Sequence, residues 1–499
     1  MKKISLLVVG VSLCFGHQAL AVDFVRKNAS TPEGQADVQA LNVALKKMRE
    51  LGCADPTSWY YQGAIHALPD KVENNTLCPQ YVSYQTDLLT AWNNCTHDQA
   101  QIGQISPVEK LHFLLWHRLY ISYFEKIVRK YSGKADFALP YWDYTDTSYR
   151  VMPALLRDKG TSLYEVARLP ALNEGYAVGK APSEDPKKRS EVDQALNLSD
   201  LMETRTFDVF SNNINNAPHG FMHDYIGGGF DDYEVYNPIY QKTMDGGLMS
   251  WVPSAGFDPV FWMHHAQIDR IWESWNYSEY GKKAPEKELI NTPWPYVFFD
   301  GDGKKHSYTV AEAYKAAYNV NYAYDNLISV STQSKDASHL AQSKPMPIPA
   351  SKALKMVPVW TKSFNASPEQ SELVLKPAAL DRKSSKRLLI EAEPKSIVMQ
   401  IDVSFDAKPN DFYLVYIKYP DGRLDKAGVM TFFGADHHAD QHAGHTMKDG
   451  DMDKMMYTSF VYDVTDELES NEDYDIVIKS GNGSVVNIAV DKVSLFKYE

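Results

Sequence analysis

FDPVFWMHHAQIDRIW, residues Phe257 to Trp272, decides how the first part of this chain folds. Asp258 before Pro259 reads as a helix start, with an acceptor side chain at the N-cap and proline where its missing N–H costs nothing. Phe261, His265, Ile268 and Trp272 then recur at helical spacing along one side. His264 and His265 are neighbours, and neighbours on a helix point about 100° apart, so the two are not expected to face one metal ion from the same side. Asp269, one turn after His265, shares its side and is suited to orienting a ligand or its surroundings.

Working outward, the same logic places a long helix over Ser106–Tyr131, SPVEKLHFLLWHRLYISYFEKIVRKY. Ser106, Pro107 and Glu109 form a capping box, and Phe113, Trp116, His117, Tyr120, Ile121 and Phe124 form one stripe. Shorter helices are expected at TSWYYQGAIHALP and PHGFMHDYI. In the latter, His219 and His223 stand four apart, so both imidazoles lie on one face and can share an ion. Read from its surroundings alone, His117 fits equally well as a satisfied core histidine.

The chain of 499 residues is longer than one compact core usually holds, and at least two domains are expected. Its first residues, MKKISLLVVGVSLCFGHQALAVDF, have the basic start, apolar stretch and Ala19-Leu20-Ala21 site of a secretory signal peptide covering 1–21. A periplasmic or extracellular protein without a membrane anchor is expected. A formal net charge of −13 argues against nucleic acid or an anionic membrane surface as partner. The helical part is expected over 22–330, and 331–350, rich in Ser, Pro, Ala and Lys, reads as a linker. From 351 to 499 come the runs SELVLKP, KRLLIEAE, SIVMQIDVSF, FYLVYIKY, DYDIVIKS and SVVNIAVDKVSLF, with turns such as YPDGR and SGNGS between. These suggest an all-β sandwich. Within that part, His437, His438, His442 and His445, with Met447, Met452, Met455 and Met456 close behind, offer imidazole and thioether donors suited to capturing cuprous ion. A solvated acidic loop is the plain alternative.

There is no Cys-x-x-Cys pair, no H-E-x-x-H helix, no G-x-S-x-G elbow and no Walker loop. Imidazole-only sites suit copper, zinc or iron, and spacing does not choose among them.

Taken together, FLLWHRLYISYFE, ALPYWDYT, APHGFMHDYIGG and DPVFWMHHAQIDRIW resemble the tyrosinase, catechol oxidase and molluscan haemocyanin superfamily of type 3 copper proteins. The last matches the family pattern D-P-x-F-aromatic-x-x-H-x-x-x-D through Asp258, Pro259, Phe261, Trp262, His265 and Asp269. The likeness extends from SWYYQGAIHALP and WNNCTHD to the tyrosine pair Tyr322 and Tyr324. The part beyond looks like the shielding domain of plant polyphenol oxidases, which can cover the site. The resemblance implies a mainly α catalytic domain whose central four-helix bundle holds two copper ions, followed by the β-sandwich. His66, His97 and His117 would bind the first copper and His219, His223 and His265 the second. His112 competes with His97, but it lies about 140° around the helix from His117 if that helix starts at Ser106.

Three cysteines follow the signal. Cys95-Thr96-His97 matches the family's Cys-x-His, implying a thioether from Cys95 to His97 and a Cys53–Cys78 disulfide; Cys78–Cys95 or Cys53–Cys95 with one free thiol are the alternatives. The family also places an acidic–basic contact where Asp269 and Arg118 stand, with a surface ion pair as the plain alternative. His264 becomes a neighbour of the site. The expected substrates are a phenol or catechol and dioxygen, with o-quinone and water as products. In relatives that hydroxylate monophenols, a Glu and an Asn often hold a water near the second copper. Asn215 and Gly220 stand at those positions here, which favours diphenol oxidation. Val252 or a neighbour is expected to shape the mouth. An oxygen carrier of haemocyanin type and a zinc hydrolase are the other readings.

Overall fold

The computed structural model describes residues 23–69, 76–78, 91–95, 111–181, 186–231, 233–329, 356–366, 370–376, 396–435, 455–468 and 473–498. The signal segment, His97, the 106–110 capping box, the 331–350 linker, KRLLIEAE and the four histidines from 437 to 445 lie outside them.

The helical part opens with β1 (Phe24–Arg26) and α1 (Pro32–Met48), capped by Thr31, whose hydroxyl accepts from the Gly34 N–H. Next come α2 (Trp59–His66), capped by Ser58, and α3 (His112–Ser132), which stops where Gly133 turns left-handed at φ 74°. Two helices follow, α4 (Phe207–Ile214) and α5 (Phe221–Gly227), joined by a π-helical turn at Asn215–Gly220 in which Ala217 is extended. Then comes α6 (Pro259–Asn276), with Asp258 accepting from the Val260 N–H. That cap is itself held: Arg168 grips the Asp258 carboxylate at 2.5 Å with both side chains fully buried. The axis of the bundle is α3 against α6, where Phe124 lies flat on Trp262 at 3.6 Å between ring centres. Strand β2 (Tyr322–Tyr324) returns to pair in parallel with β1.

The C-terminal part is two four-stranded sheets. Its strands are β3 (Met356–Ala366), β4 (Glu372–Leu375), β5 (Ser396–Phe405), β6 (Tyr413–Lys418), β7 (Leu424–Met430), β8 (Met456–Asp463), β9 (Asp475–Ser480) and β10 (Ala489–Tyr498). One sheet runs β7-β6-β9-β4, the other β8-β5-β10-β3. Tyr413, Val415 and Ile417 point into the core between the sheets, while Leu414 and Tyr416 point the other way, into the core of the helical part. This explains why FYLVYIKY is apolar without alternation: the strand is buried on both faces. Strands β3, β7 and β8 were not among the runs expected from sequence. β3 contains Pro358, which weakens any strand reading, but β3 is an edge strand, where proline is tolerated.

Candidate metal centre

Five of the expected histidines come together in the bundle. His66 is the last residue of α2, His117 sits in the second turn of α3, His219 in the π-helical turn, His223 in α5 and His265 in α6, and all are buried. Four of these rings are oriented by backbone carbonyls. Nδ1 of His66 lies 3.1 Å from Val252 O, that of His117 2.8 Å from Phe113 O, that of His219 3.2 Å from Asn215 O and that of His223 2.9 Å from Met249 O. A ring nitrogen facing a carbonyl must carry its proton, so Nε2 of each ring presents a lone pair to a metal. Val252 meets the site through its carbonyl.

The ligand atoms of His219, His223, His264 and His265 lie within 4.8 Å of one another, and those of His66, Cys95 and His117 likewise. The two groups meet where His117 and His265 stack, 4.3 Å apart and nearly parallel. Burial drives His117 and His264 down to about 3 and lowers His219 and His265 strongly, so these rings are neutral, the state that binds metal. Both ring nitrogens of His265 are buried without a hydrogen-bond partner in the protein. A buried donor set dominated by neutral imidazoles, with the Cys95 sulfur beside one group, fits a pair of copper ions.

The structure brings the His264 ring close to that of His265 although their backbone directions diverge. The His264 ring lies 4.8 Å from that of His223 and 5.3 Å from that of His219, inside the same group as His265. Tyr144 holds the His264 ring there, its hydroxyl 2.9 Å from Nδ1. His112 is turned away and satisfied elsewhere, by the Tyr296 hydroxyl at 2.9 Å and the Thr292 carbonyl at 3.0 Å. Cys53 and Cys78 form a disulfide. Cys95 is outside it and brings its sulfur 3.0 Å from His66 Nε2 and 3.6 Å from His117 Nε2.

Asp269 is the electrostatic centre of the bundle. It receives Arg118 Nε at 2.5 Å, Arg26 Nη1 at 2.9 Å and the hydroxyls of Tyr322 and Tyr324 at 2.6 Å each. Burial alone would raise its carboxyl; the two guanidinium groups and two hydroxyls outweigh that and lower it. Glu125 takes the other side of Arg26 at 2.9 Å, and Glu273 the other side of Arg118 at 2.8 Å. Arg26 and Glu125 went unnoticed in the sequence. Arg26 carries no local signal until the β1–β2 pairing brings it against the tyrosines.

The mouth of the second histidine group is covered by the C-terminal part. Phe433, just after β7, stacks on His223 at 4.0 Å and 16°, and stands edge-on to His219 at 5.8 Å. Thr431 Oγ1 donates to Asn216 O at 2.8 Å. The space beside Gly220 is taken by this loop: a Cβ there would lie 2.6 Å from Thr431 Oγ1 and 3.3 Å from Phe433. Lys408, between β5 and β6, reaches Asp224 at 3.1 Å and Ser250 O at 3.3 Å. Asn215, partly buried, meets His219 through its carbonyl.

Four helices that converge buried, neutral imidazoles into two adjoining groups define a binuclear copper protein. The common central domain of tyrosinase matches residues 56–174 and 168–278. A tyrosinase of Hahella sp. (strain CCB-MM4) is 24% identical over 91% of this chain and 95% of its own length. The latent chloroplastic polyphenol oxidase of Prunus armeniaca is 24% identical over 74% of this chain, which spans 65% of that relative. Among solved structures, latent apple tyrosinase superposes with a TM-score of 0.57 at 17% identity, over 95% of this chain and 97% of the other. The chain belongs to the tyrosinase family of type 3 copper oxidoreductases. Among the described residues no helix is long and apolar enough to cross a membrane.

Proposed function

We propose that the protein is an exported oxidase of o-diphenols, producing o-quinones as dioxygen is reduced to water, and that its own C-terminal part keeps it latent. The observation that carries this reading is the convergence of neutral imidazoles on the His117–His265 stack. In it, His66, His97 and His117 hold one copper, and His219, His223 and His265 the other, with Cys95 linked to His97. Bound copper supplies the one-electron couples that connect a catechol to dioxygen.

The chain supplies position and exclusion. Backbone carbonyls fix four rings by Nδ1, so each approaches the metal in one tautomer and one orientation. The Arg118–Asp269 pair ties α3 to α6 and thereby the two histidine groups to each other. Aromatic walls of Phe113, Phe261 and Trp116 around the imidazoles exclude bulk water. A planar ring arriving at His223 needs the slab that Phe433 fills, which supports latency.

Asn215 and Gly220 offer no carboxylate to hold a base water beside His219, which supports diphenol oxidation. The likeness to the Hahella tyrosinase favours a second reading, in which monophenols are hydroxylated too. The test is oxygen uptake with 4-methylcatechol and with 4-methylphenol, before and after limited proteolysis. The proposal expects catechol oxidation that rises on cleavage and negligible phenol oxidation. Phenol oxidation at a comparable rate selects the second reading, and no catechol oxidation in either form refutes both.

A further inference from the structure

The two residues that close the mouth have the layout of a particular kind of molecule. Phe433 contributes an aromatic ring lying flat on His223, and Lys408 contributes an ammonium 5.9 Å from the centre of that ring. By ordinary bond lengths, an ammonium on a two- or three-carbon chain stands about 5–6 Å from its aromatic ring centre. On the helical part the ammonium meets Asp224 Oδ1 at 3.1 Å, Ser250 O at 3.3 Å and the face of Trp251 at 5.7 Å. A carboxylate, a carbonyl and an indole face together make a cation site.

That site is fixed beside the metal centre by the chain itself. Asp224 directly follows His223, and Ser250 and Trp251 directly follow Met249, whose carbonyl orients the His223 ring. The Asp224 side chain is only 2% exposed in the covered state. When the 408 and 433 loops leave, this carboxylate loses the Lys408 ammonium. A substrate that stacks on His223 and carries an ammonium at the same distance restores both contacts at once.

We propose that the site is built for phenols bearing a cationic amine on a short alkyl chain, with Asp224, Ser250 O and Trp251 reading the ammonium. This rests on the oxidase reading above. It names the substrate class of that site: arylalkylamines over neutral catechols, and neutral catechols over aryl carboxylates.

The test uses the full copper-loaded chain carrying Lys408→Ala and Phe433→Ala, which empties the slot and leaves Asp224 in place. Rates are compared for dopamine, 4-methylcatechol and 3-(3,4-dihydroxyphenyl)propionate, alone and with Asp224→Asn added. The expected result is a kcat/KM ratio of amine to acid of at least about tenfold, falling toward unity with Asp224→Asn. A ratio near unity in the double variant, with 4-methylcatechol oxidised, overturns the proposal and leaves the oxidase reading standing. An equal loss on all three substrates with Asp224→Asn marks a structural role and also overturns it. If none of the three is oxidised, the oxidase reading falls and the proposal with it. Inhibition provides a check that needs no change at Asp224: 2-phenylethylamine should compete with 4-methylcatechol at a lower concentration than 3-phenylpropionate, and the reverse order would contradict the proposal.

Discussion

The Asp269 centre and the Phe433 mouth both adjoin the histidine-bearing elements, and they are built on different terms. Around Asp269 the direct partners are buried and belong to the helical part: Arg26, Arg118 and the hydroxyls of Tyr322 and Tyr324, with Glu125 and the part-exposed Glu273 on the far sides of the two arginines. At the mouth the contacts are a handful of side chains reaching across from the β-sandwich: Lys408, Thr431 and Phe433. The first cannot be opened without leaving charges unpaired in the interior. The second involves loop side chains, whose withdrawal on the proposed reading would leave the imidazoles in place and open access to them.

The largest effect tests the interior side. Asp269→Asn leaves two buried guanidinium groups short of a partner and is expected to cost about 3–5 kcal/mol of stability, read as a lower urea midpoint. A loss under 1 kcal/mol would mean that the centre is not what ties α3 to α6. Acid should act on the same side in copper-free protein. The folded value of His117, near 3, lies below its unfolded value, so the unfolded chain binds more protons at mildly acid pH. Stability is therefore fully present above about pH 6.5 and declines as pH falls toward 3. A thermal midpoint that does not change over that range contradicts the neutral-imidazole account.

At the mouth, Phe433→Ala should raise catechol oxidation by the uncleaved chain about tenfold or more, while leaving the urea midpoint within about 1 kcal/mol of the parent. An unchanged rate would show that the ring does not block the site. The smallest effect is that of Tyr144→Phe. Removing the hydroxyl that holds His264 is expected to cost about 1 kcal/mol in stability. It should alter KM more than copper content, as measured by elemental analysis. A drop to one copper per chain would instead make His264 a ligand.

The interior was more legible in the sequence than the mouth. Asp258–Pro259 gave the start of α6, the 219/223 spacing gave a shared face, and the stripe through His117 gave α3, because helical period and capping are local rules. Asp269 and Arg118 were visible as candidates for the same reason. Arg26 was not, since its role depends on a strand pairing across almost 300 residues. Phe433 and Lys408 were equally hidden: in VMTFFGAD and FDAKPND they read as ordinary residues around strands, and only the docking of the β7-β6-β9-β4 sheet against the helical core aims them at His223 and Asp224. How close the His264 ring comes to the others was not legible, because backbone direction does not fix where an imidazole ends up once a partner such as Tyr144 holds it.

The central claim is that the two imidazole groups each hold one copper ion. Elemental analysis of the copper-loaded full chain, with protein quantified by amino-acid analysis, tests it most directly. Two copper ions per chain is the predicted result, and one or none would contradict it.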